Sequence, residues 1–401
     1  MDPQLYHPLS ETVYGDEIWP VFRRMRDEAP DYFLEEFDTY FLTRFQDIWD
    51  LLPNPNLSIA RGQTTVELLL GQSAAPGQGE ALSAADPPYQ TAIRAAIMKL
   101  FSPNSARRLE PLAREFTRRF LAEARERGGV DAIGELGMRL SVRIACTIIG
   151  IPLEESDRLV SDVNAFFDRS DETEGSTPTS LDARDRLVDF IDELIDGHRR
   201  RPGDGDLVDA LLGIEVDGRR MTDDGLRGTL ITGIVGGTET LPKVFAACTY
   251  RLWQHPDQRA RVAEDPSLCG DAFWEALRYD MPTQMLGRTV IRDTELHGRV
   301  MTPGQKVMYL WPAANRDERE FDDPERFDIE RRAPRILSFG HATHRCLGAN
   351  VAQLEGRVML EELMALDPDY EIAEDEVVRL RSEFFRGFGA LPIRFSNGVA
   401  A

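Results

Sequence analysis

The amino-acid sequence predicts a mainly α protein with a small β region, and three observations carry that reading. Apolar residues recur at three- and four-residue spacing through most of the chain up to about residue 280. Runs with β character are few and short. Turn-forming clusters such as "RPGDGD" and "VDGRRMTDD" separate one helical pattern from the next. No internal repeat and no interdomain linker is visible, so the expectation is one domain over residues 1–401.

Taken in order, the first strand-like stretch is "YFLEEFDTYFLTRF", and helical patterns follow at 105–127 and 134–149. In "ARDRLVDFIDELIDGHRRR" the apolar set Leu187, Val188, Phe190, Ile191, Leu194 and Ile195 keeps helical spacing. Its bases gather at the end, where the helix dipole favours them. Helical patterning returns at 222–253 and 347–366, while "GRTVI" (287–291), "KVMYLW" (306–311) and "LPIRF" (391–395) read as strands. The stretches 60–84 and 169–182 are long for connections within one domain and are expected to act as lids.

Composition narrows the function. With 401 residues, 42% hydrophobic and 29% charged, the chain is of ordinary globular type. A net charge of -22 opposes nucleic acid, whose phosphates need neutralising. Cys146, Cys248, Cys269 and Cys346 form no CxxC pair, which fits a reducing cytoplasm rather than a disulfide framework. The opening "MDPQLYHPLSETVYGDEIWP" has acids and no basic-then-apolar run, so neither a signal peptide nor a membrane anchor is expected.

Chemistry concentrates in "FGHATHRCLG", residues 339–348. Gly340, Ala342 and Gly348 let a flat ligand or backbone amides approach Cys346 closely. A helix starting near Leu347 turns its positive end toward the sulfur, which favours thiolate. His341, His344 and Cys346 also suggest zinc, but their spacing matches no common zinc signature and no second ligand cluster accompanies them. One thiolate in a glycine-lined bed, followed by a helix, suits an axial bond to haem iron.

The decapeptide resembles the cytochrome P450 haem-binding loop, Phe-Gly-x-Gly-x-His-x-Cys-x-Gly, with Ala342 in place of the usual glycine. The resemblance implies the P450 fold, a triangular helical prism around haem b (iron protoporphyrin IX). It makes Cys346 the proximal metal ligand, sets Phe339 beside the sulfur, Gly348 in the haem bed and His344 toward a haem propionate. Further segments resemble the family's in the same order. "DPPYQTAIR" (86–94) keeps a propionate-binding Arg94 and has Gln90 where histidine is usual, and Arg288 occupies another propionate position. "EALR" and "PERF" imply a structural triad of Glu275, Arg278 and Arg326. "GGTETLPK" resembles the oxygen-binding helix, with Glu239 to relay protons and Thr240 to hydrogen-bond dioxygen, while Leu241 and Pro242 depart from the pattern. Consecutive glycines inside a helix cost about 1 kcal/mol each, which a local widening over the haem would justify. Splitting dioxygen needs protons and electron donation, and acid, hydroxyl and thiolate meet those needs.

The resemblance implies a haem-thiolate monooxygenase that hydroxylates or O-dealkylates a small hydrophobic or aromatic compound. Electrons would come from a ferredoxin-type donor in trans, docking on Arg94, Lys99, Arg107, Arg108 and Arg345. Substrate contacts are expected from Ile231, Ile234, Val235, Gly236, Thr283, Gln284, Met285 and Phe388. A monomer acting in the cytoplasm, without nucleic acid or membrane, is expected. Two other readings stay open: a peroxide-driven or non-oxygenating relative, and a helical binding protein without catalysis.

Overall fold

The computed structural model describes residues 5–61, 69, 80–168, 176–203 and 205–396. Of the two stretches expected to be lids, 62–68, 70–79 and 169–175 lie outside the described residues. The chain opens with α1 (Ile18–Glu28), β1 (Asp31–Leu34), β2 (Thr39–Leu42), α2 (Phe45–Leu51), β3 (Leu57–Ser58), α3 (Tyr89–Ile97), α4 (Pro103–Arg108) and α5 (Glu110–Glu126). β4 (Gly129–Asp131) leads through a π-helical segment, Ala132–Met138, into α6 (Arg139–Ile149), α7 (Ser156–Phe166), α8 (Pro178–Arg200) and α9 (Leu207–Leu212). Then come β5 (Glu215–Val216), β6 (Arg219–Arg220), α10 (Asp223–Thr238), α11 (Thr240–Gln254), α12 (Pro256–Glu264) and α13 (Cys269–Tyr279). The last part holds β7 (Met285–Val290), β8 (Thr294–Leu296), β9 (Arg299–Met301), β10 (Lys306–Leu310), α14 (Trp311–Ala314), α15 (Ala349–Leu366), β11 (Glu371–Ile372), β12 (Val378–Arg379), β13 (Phe388–Ala390) and β14 (Pro392–Arg394).

Local chemistry explains these bounds. Thr177 and Thr222 accept the Ser180 and Gly225 amides and so cap α8 and α10, while Gly150, at φ 96°, ends α6. The predicted strands appear as β7, β10 and β14. Where "VDGRRM" reads as a plain loop, the chain forms the β5–β6 hairpin across Asp217 and Gly218, both at positive φ. The main sheet has the order β1-β2-β10-β7-β3, with β10 parallel to β2 and antiparallel to β7. It lies beside a helical core in which α11 packs against the π-helical segment, α13 and α15, and α15 packs against α5.

The helix expected across 222–253 is two helices, broken at Glu239. This accounts for Pro242. It is the third residue of α11, inside the first turn, where a backbone N–H has no intrahelical partner to lose. Its ring rests on Gly137 of the π-helical segment, where a Cβ would come within 2.7 Å of the Pro242 Cβ and 2.8 Å of its Cα. Gly137→Ala should therefore cost about 1–3 kcal/mol, as overpacking of a tight contact does, read as a fall in the urea midpoint.

Glu355 of α15 is buried, with the Ser141 hydroxyl donating to Oε2 at 2.9 Å and no cation partner among the described residues. Burial pushes its carboxyl up to about 8. The folded protein then holds a proton that the unfolded chain releases near pH ~4.3, so stability falls as pH rises through that interval and levels off beyond pH 8. Glu355→Gln should remove this slope. The variant should melt several degrees above the wild type beyond pH 8, and the two should converge at about pH 5 in thermal melts.

Candidate active site

Cys146, Cys248 and Cys269 are buried, whereas Cys346 is exposed at the end of a tightly bonded loop. Its amide donates to the Phe339 carbonyl at 2.7 Å, and the Gly340 amide to the Leu337 carbonyl at 2.8 Å. Gly340 and Ala342 both take left-handed backbone, at φ 64° and 58°. The Phe339 ring leans on Trp274 of α13, with centroids 6.1 Å apart. Crowding by protein pushes the Cys346 thiol up, against the Gly348 amide, Arg345 and Arg94, which lower it. The expected preference for thiolate therefore does not follow from the helix end alone; bonding to a metal cation would supply it. His341 is stacked on Trp49, centroids 3.6 Å apart, and among the described residues no metal-sized ligand group includes Cys346. The zinc reading has no geometry behind it.

Two cations beside the loop have no ion pair among the described residues. Arg288 of β7 is buried, and among the described residues its guanidinium donates to the Gly287 carbonyl at 2.8 Å; burial lowers its pKa, against the nearby Asp86 charge, which raises it. Arg94 of α3, lowered by burial too, has no ion pair among the described residues. Burial, then Arg288, hold the His344 imidazole down at about 4, so it is a neutral donor. Gln90 is buried, and its amide donates to the Thr343 carbonyl at 2.8 Å. That N–H ties α3 to the cysteine loop.

At the helix break the Thr240 hydroxyl donates to the Gly236 carbonyl at 3.2 Å, beside exposed Gly236 and Gly237. Glu239 is buried. Lys243, one turn on, donates to Glu239 Oε1 and, at 3.1 Å, to its backbone carbonyl. Glu239 Oε2 is buried with no partner among the described residues.

Glu275 and Arg278 of α13 form the expected buried pair, with a bidentate contact at 2.6 and 2.8 Å. The third arginine is a correction. Arg326 points its side chain into solvent and contributes its carbonyl, which accepts from Arg278 Nη2 at 3.2 Å. Arg331 supplies the guanidinium, its Nε 3.1 Å from Glu275 Oε1. Pattern matching fixed on "PERF"; only the irregular turn through 327–330 brings Arg331 back over α13.

The substrate-facing expectations divide. Ile231, Val235 and Thr283 are partly buried and Gly236 is exposed. Ile234 is core at 1% exposure. Gln284 is buried, with its amide on the Ser382 carbonyl at 2.7 Å, and Met285 faces the N-terminal apolar cluster across the sheet. Phe388 is buried against Tyr250 and Arg379. For these four, strand alternation or packing turns the side chain into structure. What meets Thr283 is Phe385, through a backbone bridge, and Phe385 lies 4.8 Å from Phe167 just past α7. Phe166, Phe167, Phe384 and Phe385 form an aromatic cluster that sequence reasoning missed; the paired phenylalanines were its signal.

Residues 175–366 match the family model "Cytochrome P450". Cytochrome P450 123 of Mycobacterium tuberculosis is 34% identical over 400 residues, covering 98% of this chain and 97% of the relative. The chain is a cytochrome P450. Vitamin D(3) 25-hydroxylase of Pseudonocardia autotrophica is 30% identical over 393 residues, 96% of each chain. The crystal structure of CYP109E1 from Bacillus megaterium with testosterone superposes at TM-score 0.85 with 27% identity, covering 96% of this chain and 99% of that one.

A P450 carries haem, and the residues here fit it. A haem brings two carboxylates, and Arg94 and Arg288 are cations without an ion pair among the described residues, placed with His344 around the loop of the exposed cysteine. The P450 core is clamped by Arg331 rather than by Arg326. Arg331→Ala should cost about 1–3 kcal/mol, as losing hydrogen bonds to a carboxylate that keeps its other partner does, whereas Arg326→Ala should stay within about 0.5 kcal/mol. Urea titration of the two variants separates the assignments.

Proposed function

We propose that this P450 is a haem b monooxygenase that inserts one oxygen atom of dioxygen into a small hydrophobic or aromatic compound, by hydroxylation or O-dealkylation, as a single domain. The observation that carries the reading is the exposed Cys346 in a loop flanked by Arg94 and Arg288, neither of which has an ion pair among the described residues. Haem, when bound, supplies the activation of oxygen. The protein's own residues do the rest. Cys346 holds the metal, and Arg94, Arg288 and neutral His344 hold the propionates. Thr240, on the first residue of α11, presents a hydroxyl at the gap between two helices, and Glu239 behind it holds a proton-exchanging carboxyl. Ile231, Val235 and Thr283 orient the substrate, with Phe384 and Phe385 closing over it. A relative named for vitamin D(3) and a neighbour holding testosterone support an apolar substrate.

Electrons reach it from a ferredoxin-type donor in trans. Lys99, Arg107, Arg108 and Arg345 are exposed, and none has an ion pair among the described residues, on a chain whose net charge is -22. The α4 region and the start of α15 are joined by Asn350, which donates to the Phe101 carbonyl at 2.9 Å, so the patch borders the cysteine loop. An acidic partner is steered there. No helix among the described residues is long and apolar enough to cross a membrane; we read the protein as a cytoplasmic monomer.

The reduced, CO-treated protein should show the absorption band of thiolate-ligated haem, and Cys346→Ala should lose it. Thr240→Ala should keep the band and divert reducing equivalents to hydrogen peroxide, in a share about tenfold or more above wild type. A colourless holoprotein, or full coupling in Thr240→Ala, would refute the respective assignment.

A further inference from the structure

Lys243 has no part in the mechanism above, yet it is 4% exposed, and a lysine is almost never buried without a reason. Its ammonium donates to the Glu239 carboxylate and to the Glu239 backbone carbonyl, and lies 4.9 Å from the centre of the Phe385 ring. The two residues stand at i and i+4, Glu239 capping α11 and Lys243 within it, so the acid has its countercharge one turn away. A carboxylate this deeply buried is tolerated only with such a partner. The contact also fixes which oxygen is occupied: Oε1 is held by Lys243, and Oε2 has no donor among the described residues.

We infer that Lys243 is a positioning residue for Glu239, keeping its carboxyl group charge-balanced and turned so that Oε2 is the oxygen left to exchange protons at the Thr240 end of the break. The inference rests on the proposed proton-delivery role of Glu239. Burial raises the pKa of Glu239 and lowers that of Lys243, so both directions favour sharing one proton within the pair. Around it stand Thr240 on its own helix and the Phe385 ring from the C-terminal turn. No further charged side chain is bonded to either group among the described residues.

Without Lys243 the lone buried carboxylate takes up a proton and becomes neutral. The test compares Lys243→Met, Lys243→Arg, Glu239→Gln and the double variant Lys243→Met/Glu239→Gln as purified holoprotein. Infrared spectroscopy of the protein alone reads the carboxyl, and peroxide release during turnover with a ferredoxin and reductase reads coupling. Lys243→Met should show the carbonyl stretch of a protonated carboxyl that the double variant lacks. It should also release peroxide at about the level of Glu239→Gln, roughly tenfold above wild type. Lys243→Arg should restore both readings toward wild type, which a merely structural role would not require. The double variant leaves no lone charge, and Lys243→Gln repeats the comparison if Lys243→Met does not fold. Absence of the new carboxyl band, or wild-type coupling in Lys243→Met beside an uncoupled Glu239→Gln, would overturn the inference alone. Wild-type coupling in Glu239→Gln itself would overturn the role of Glu239 and the inference with it.

Discussion

The charge cluster around Glu275 is the interaction on which the rest of the site depends. Its carboxylate takes Arg278, Arg331 and the Asp328 amide, and Arg278 extends onward to the carbonyls of Asn315, Pro324 and Arg326. The continuous irregular stretch 315–331 is thereby fastened to α13 at several points. Asn315 passes the constraint on: its side chain accepts from the Leu337 amide and donates to Ser338, two and one residues before Phe339. Phe339 in turn holds the Cys346 amide. A buried ion pair gains little net stability over an apolar core; what this one achieves is a fixed path from α13 to the cysteine loop.

The second constraint is the joint at Glu239. Proline at the third position of α11 and the close contact with Gly137 make the break a property of the packing rather than of glycine flexibility. Gly236 and Gly237 lie on the α10 side of it, exposed and free of close neighbours, with nothing but the Ala145 methyl near Gly237 at ordinary contact distance. The joint thus presents the Thr240 hydroxyl and small residues on one side and hides an ion pair on the other.

Much of this was legible in the sequence where a short stretch decides the outcome. The helical spacing of 183–201 and the decapeptide at 339–348 are local patterns, and both map onto the structure directly. The misreadings share a cause. Arg326 or Arg331, and Phe388 or Phe385, differ by a few residues in sequence, and which one reaches the site depends on the turn or strand face between them. Gln90 kept its position, but its hydrogen bond went to a neighbouring backbone. Lys243 gave no signal, because a lysine in an amphipathic helix reads as solvent-facing until packing shows otherwise.

Ala342 has a consequence of its own. An L-residue in left-handed backbone costs roughly 1–2 kcal/mol that glycine would not, and at φ 58° that cost is present in the folded loop and absent once the loop lets go. The two ends of the loop, held by Leu337 and Phe339 carbonyls on one side and by Gln90 at Thr343, are therefore working against a spring. Released from those ties, this chain's cysteine loop gains more by relaxing than a relative with glycine there, so its grip is set by its hydrogen bonds and its cofactor more than by its backbone.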